Sequence, residues 1–152
     1  MHLERLVKQL GLSRYVRLLD FQPRFDHVLA GVDALVHTAD REPFGRVLIE
    51  AMQAGVPVIA ARAAGPAEII EPNRSGLLFE PDNKRELIEY MTRVFRDPLL
   101  RSQLVEAGCE RVKNKYTSAR TTQSIEKLYD QVADGTNAAV RAMDRIGMAS
   151  DS

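Results

Sequence analysis

The run Ala34-Leu35-Val36-His37-Thr38-Ala39-Asp40-Arg41-Glu42-Pro43-Phe44-Gly45-Arg46-Val47-Leu48-Ile49-Glu50-Ala51-Met52-Gln53-Ala54-Gly55-Val56-Pro57-Val58-Ile59-Ala60-Ala61 reads as strand, helix, strand, and it decides the fold. Ala34 to Thr38 is an apolar stretch of the kind covered on both faces, and it closes in a polar turn. A helix is expected over Phe44 to Ala54, with Pro43 in its first turn, where a missing amide hydrogen goes unnoticed. Gly55 stops it, and Pro57 to Ala61 forms a second short strand. Strands joined through a helix by short links imply parallel pairing in a right-handed crossover.

Outward from this unit the pattern continues. Upstream, Leu3, Leu6, Val7 and Leu10 repeat at helical spacing and run into Gly11. Tyr15 to Phe21 is expected as a further strand, and Phe25, Val28, Leu29 and Val32 as a short helix. Downstream come a turn at Gly65-Pro66, a one-turn helix from Ala67 to Ile70, and a last strand from Gly76 to Phe79. After that the chain is helical only: Leu87, Met91, Val94 and Phe95 mark one helix, Leu99, Leu100, Leu104 and Cys109 a second, and Ile125, Leu128, Tyr129 and Val132 a third. The expected fold is α/β, a Rossmann-like parallel sheet with flanking helices. Residues 1–133 form the domain, and 134–152 a tail that is poorly ordered or docked only in part.

With 152 residues, one core is expected. The 21 basic and 21 acidic residues balance to zero formal charge, which argues against a broad grip on nucleic acid or anionic lipid. The longest apolar runs, such as Val56 to Ala61, fall far short of the roughly 20 residues that span a bilayer. The first residues carry mixed charges at helical spacing, unlike a signal peptide. One cysteine, Cys109, leaves no internal disulfide and fits a reducing compartment, so the cytoplasm is the expected location.

In open parallel sheets, ligands bind beyond the carboxyl ends of the strands, at the amino ends of helices. Two segments qualify here: Asp40 to Arg46, and Ala63 to Glu68. Within the first helix, Glu50 has apolar neighbours around almost the whole circumference, so its carboxylate is expected to be desolvated and to need a partner. An internal salt bridge, a carboxylate emerging between small neighbours and a ligand contact all fit that pattern. Glu42 lies just before the helix, where the dipole favours negative charge, and a plain helix-end charge fits it as well as a ligand contact.

The full string from Glu42 to Ala60 resembles the signature of the retaining glycosyltransferases of family 4, the former group 1: two glutamates with seven residues between them, then Ala-Met, a glycine and Pro-Val. The resemblance continues through Gly65, Glu68, the turn Asn73 to Gly76, Leu77 to Phe79, and the helices to about Val132. It implies the nucleotide-sugar lobe of a two-lobe transferase of the GT-B fold, binding a nucleoside-diphosphate sugar and needing neither metal nor cofactor. By the same resemblance, Glu42 is the catalytic carboxylate that binds donor-sugar hydroxyls and holds the anomeric carbon in place. Phe44, Gly45, Arg46 and Val47 offer backbone amides to sugar and diphosphate, and Glu50 accepts both ribose hydroxyls. Gly65 is a loop glycine near the phosphates, with Ala64 standing where the family has another glycine. The loop Phe21-Gln22-Pro23-Arg24 falls where the nucleobase is contacted. Glu68 reads as a helix-start charge.

Other signals are weaker. His2, His27 and His37 are scattered without metal-ligand spacing, and no dinucleotide or P-loop fingerprint occurs. Arg111, Lys113 and Lys115 read as surface charge near a helix end. Family members carry further strands and diphosphate-neutralising cations before the point where this sequence begins, and an acceptor lobe before those. The resemblance therefore implies a truncated chain, a fragment or one part of a split enzyme, inactive alone, its open strand edges covered by an N-terminal lobe, a separate subunit or a second copy. Two further classes remain: a non-catalytic interaction protein with this fold, and a sugar-nucleotide epimerase of the same fold type.

Overall fold

The computed structural model describes residues 2–116. Nine elements follow in order: α1 (His2–Gln9), α2 (Phe25–Leu29), β1 (Leu35–His37), α3 (Arg46–Gln53), β2 (Val58–Ala61), α4 (Ala64–Ile69), β3 (Leu77–Phe79), α5 (Lys84–Arg96) and α6 (Pro98–Lys115). The expected helix around Ile125 to Val132 and the tail lie outside the described residues.

The three strands form one parallel sheet in the order β1-β2-β3, with Val36 opposite Ile59 and Ile59 opposite Leu77. A sheet that grows in one direction through right-handed crossovers carries its connecting helices on one face. Accordingly Val58, Ala60 and Leu78 pack with Leu29 of α2, Leu48, Ala51 and Met52 of α3, and Ile69 of α4. Ile59, Ala61, Leu77 and Phe79 point the other way, onto Val94 of α5 and Leu104 of α6. The period of two along each strand thus splits the core into two layers, the α/β sandwich anticipated from sequence. Each of the last two helices begins on a side-chain cap: Asn83 accepts the amide of Glu86 at 3.2 Å, and Asp97 that of Leu100 at 2.9 Å, with Pro98 in the first turn of α6.

Three expectations change. Tyr15 to Phe21 is not a strand: its side chains stand in solvent, Phe21 with 89% of its surface exposed. A strand exists only by pairing its amides and carbonyls with a neighbour, and no described strand lies beside this segment. α1 forms where its periodicity predicts but buries no residue. The helix after Glu42 starts at Arg46, not Phe44, because Gly45 at φ +90° is left-handed and cannot belong to a right-handed helix. Pro43 therefore sits in the preceding loop. Finally, Gly65-Pro66 is the first turn of α4, which ends at Ile69, so Glu68 lies near its carboxyl end rather than its start.

Candidate functional site

Beyond the carboxyl end of β1 the chain folds back so that Glu42 meets the start of α3. Its Oε1 accepts the amide of Gly45 at 2.8 Å and that of Phe44 at 3.2 Å. The left-handed turn at Gly45 aims both amides at one oxygen. Oε2 lies 3.5 Å from Nε2 of His37, the last residue of β1. The next two amides, those of Arg46 and Val47, open the helix and have no helical carbonyl one turn back to bond.

The second expected loop closes onto the first. Gly65 donates its amide to the Glu42 carbonyl at 3.1 Å. It is buried, and a Cβ there would stand well under 3.0 Å from the backbone of Phe44. Gly65 therefore acts here by letting α4 press against the loop that carries Glu42; that contact sets the height of the loop above the sheet.

Glu50 is less desolvated than its apolar neighbours imply, and it combines two of the alternatives left open, an internal ion pair and a carboxylate emerging from the helix face. Its side chain keeps 36% exposure and accepts Nε of Arg46 at 2.8 Å. The helix face it occupies is only partly covered, because the segment before α2 does not seal it. Arg46 itself is 84% exposed, and a pair this solvated at i, i+4 spacing is worth only about 0.3–0.5 kcal/mol. Such a bond yields readily to a better donor. Beside Glu50 a cleft of about 380 Å³ opens, lined also by Pro23, Phe25, Asp26, Leu29, Gln53 and Ala54. A neutralising arginine and an open cavity thus coexist at this carboxylate.

The structure brings Glu42, Phe44, Gly45 and Gly65 together, and places Glu50 and Arg46 on the helix that starts there. Val47 is half-buried and packs its side chain on the core, leaving its amide alone available to the site. The amides of Phe44 and Gly45, expected to be open to ligand, are occupied by Glu42. Phe21 is not brought in: it is exposed, and its near neighbour Pro23 lines the cleft instead. Two residues acquire roles that composition and spacing did not suggest. His37 stands against Glu42, a placement signalled only by its position at the carboxyl end of a strand. Arg111, expected on the surface, has a side chain only 9% exposed and binds the carbonyls of Glu68 and Ile69 and the carboxylate of Glu71. Tyr116 adds a bond to the Glu68 carbonyl at 3.2 Å, and burial raises its phenol above the ordinary range. Together these bonds fasten the end of α6 to the end of α4. Among the described residues no cluster of three metal-ligating side chains occurs, and no helix is long and apolar enough to cross a membrane.

Comparison with known proteins bears on the same region. Residues 2–111 match the family described as Glycosyl transferases group 1. The lipopolysaccharide core biosynthesis glycosyltransferase LpsD of Rhizobium meliloti (strain 1021) is 31% identical over 129 residues, covering 85% of this chain and 38% of LpsD. The human alpha-1,3/1,6-mannosyltransferase ALG2 is 33% identical over 125 residues, covering 81% of this chain and 30% of its own. Among solved structures, Anabaena HepE in complex with UDP and glucose superposes with a TM-score of 0.80 at 28% identity, over 86% of this chain and 36% of that one. The C-terminal domain of LpcC, a glycosyl transferase group 1 family protein from Francisella tularensis, superposes with a TM-score of 0.67 at 28% identity, over 77% of this chain and 62% of that one. The chain thus spans under two-fifths of the length of LpsD and HepE, and it shares the α/β fold of the superposed part of HepE, a GT-B structure. With the loop of Glu42 and the helix of Glu50 both inside the matched region, this chain belongs to the group 1 glycosyltransferases.

Proposed function

We propose that the chain is the donor-binding part of a retaining glycosyltransferase of family 4, taking a nucleoside-diphosphate sugar without a metal or other cofactor. The observation that carries this reading is the shared helix: one end holds the Glu42 carboxylate, and one turn further in Glu50 borders an open cleft through a bond weak enough to exchange. A ribose diol offers Glu50 two charge-assisted hydrogen bonds in place of one solvated ion pair. The base then enters the cleft past Pro23 and Phe25, near the loop 21–24, and the diphosphate faces the amides of Arg46 and Val47. Those amides and the helix dipole stabilise the charge that develops on the leaving diphosphate. Glu42 orients the sugar. A second lobe supplies the acceptor site, so this chain alone does not turn over, and the open edge of β1 is covered by that lobe or by another copy. The proposed location is cytoplasmic, where sugar nucleotides are available.

Titrating the labelled chain with UDP, GDP and ADP in turn is expected to shift the amide resonances from Gly45 to Glu50 with at least one of them. Glu50→Ala is expected to weaken that binding about tenfold, the worth of losing a charged hydrogen bond. If none of the three nucleotides perturbs this helix, the donor-site reading is wrong. Turnover of any sugar nucleotide by the isolated chain would refute the need for a second lobe.

A further inference from the structure

We infer that His37 is a positioning residue for Glu42, donating its Nε2 hydrogen to Oε2; the consequence for sugar binding rests on the donor-site reading above, whereas the contact itself does not. Nε2 of His37 is buried and has no hydrogen-bond partner among the described residues. Oε2 of Glu42 faces it at 3.5 Å, just beyond bonding reach. A buried ring nitrogen without a partner is disfavoured, and a shift of the carboxylate by about half an ångström closes the gap to an ordinary bond length.

The count of lone pairs says what this accomplishes. An ionised carboxylate has about four acceptor positions. Phe44 and Gly45 take the two on Oε1, and His37 takes one on Oε2. A single acceptor position then remains, in a fixed direction, which is what orienting one sugar hydroxyl requires. Without His37, Oε2 is free to turn and the direction is lost. The side chains of His37 and Glu42 are 18% and 28% exposed, so water competes little for the contact. His37 comes from β1 and the two amides from the turn before α3, so sheet and turn fix the carboxylate from two sides.

Two measurements on the full chain decide this. In a long-range proton–nitrogen spectrum of the neutral imidazoles, His37 is expected as the tautomer protonated on Nε2, with a resonance that moves in Glu42→Ala. The His27 signal, whose ring neighbours Arg24 and Asp26, serves as the unmoved control. The opposite tautomer, or no response to Glu42→Ala, overturns the inference whether or not any nucleotide binds. The second measurement compares UDP with UDP-glucose and GDP with GDP-mannose by calorimetry. Where a sugar nucleotide binds, His37→Leu is expected to lower its affinity about fivefold relative to the matching nucleotide, and His37→Gln, which keeps an N–H near the same place, to restore it. Equal losses for nucleotide and sugar nucleotide, or no rescue by His37→Gln, overturn the positioning role. If no sugar nucleotide binds the wild-type chain, the donor-site reading falls and the tautomer result alone decides the contact.

Discussion

Replacing Gly65 by alanine is expected to lower the melting temperature by roughly 10 °C, the equivalent of about 3 kcal/mol in a chain of this size. The added methyl collides with main-chain atoms of Phe44 rather than with the end of a flexible side chain. Relief therefore requires moving either α4, which carries Pro66 and Ile69 in the core, or the loop that carries Glu42. The loop is the softer of the two. Its displacement breaks the bond from the Gly65 amide to the Glu42 carbonyl and tilts the amides of Phe44 and Gly45. Thermal unfolding by circular dichroism reads the first effect and amide shifts at positions 44 and 45 the second. A Gly65→Ala protein that melts within 2 °C of wild type, with those resonances in place, would show that the two loops are not pressed together as described.

The second large effect is expected at Arg111. Its buried guanidinium satisfies the carbonyls of Glu68 and Ile69 at the end of α4, and pairs with Glu71. Carbonyls at a helix end have no partner within the helix, and a cation there also complements the helix dipole. Arg111→Leu fills much of the space but leaves the Ile69 carbonyl unbonded, the Glu68 carbonyl with its bond from Tyr116, and the carboxylate of Glu71, which is 40% exposed, with its contact to Arg74 among the described residues. A loss of about 2–3 kcal/mol is expected, since one such orphaned group costs roughly 1–3 kcal/mol and the exposure of Glu71 softens its share. Arg111→Lys should fall between, because an ammonium keeps the charge without the planar fork that reaches several acceptors at once. Urea denaturation measures both. Equal stabilities of Arg111→Leu and wild type would mean that α6 is held by its apolar face alone.

Much of the molecule was legible from residue types. The strands β1, β2 and β3 were found within a residue or two of their limits, since Leu35-Val36, Val58-Ile59 and Leu77-Leu78 are apolar runs too short for helices and bounded by turn residues. The helices α3, α5 and α6 followed from spacing. The segment from Tyr15 to Phe21 has the composition of a strand and is none, because composition records willingness to pair and not the presence of a neighbour. The exposure of Glu50 is not legible in a helical wheel, which treats every apolar neighbour as covered, whereas coverage depends on what packs against that face.

The order of the residues alone determined the α/β class, the parallel sense of the sheet and the helix that carries Glu50 with Glu42 just before it, because these follow from local periodicity and from the short links between elements. Only tertiary structure decided that Glu42 turns into the amides of Phe44 and Gly45, that Gly65 touches the backbone of Phe44, that His37 faces Glu42, and that Arg111 is buried. Each of these contacts joins groups brought together by packing rather than by periodicity. A sequence pattern fixes which face a residue shares with its own element, while the partner on the other side of that face is set when the layers close.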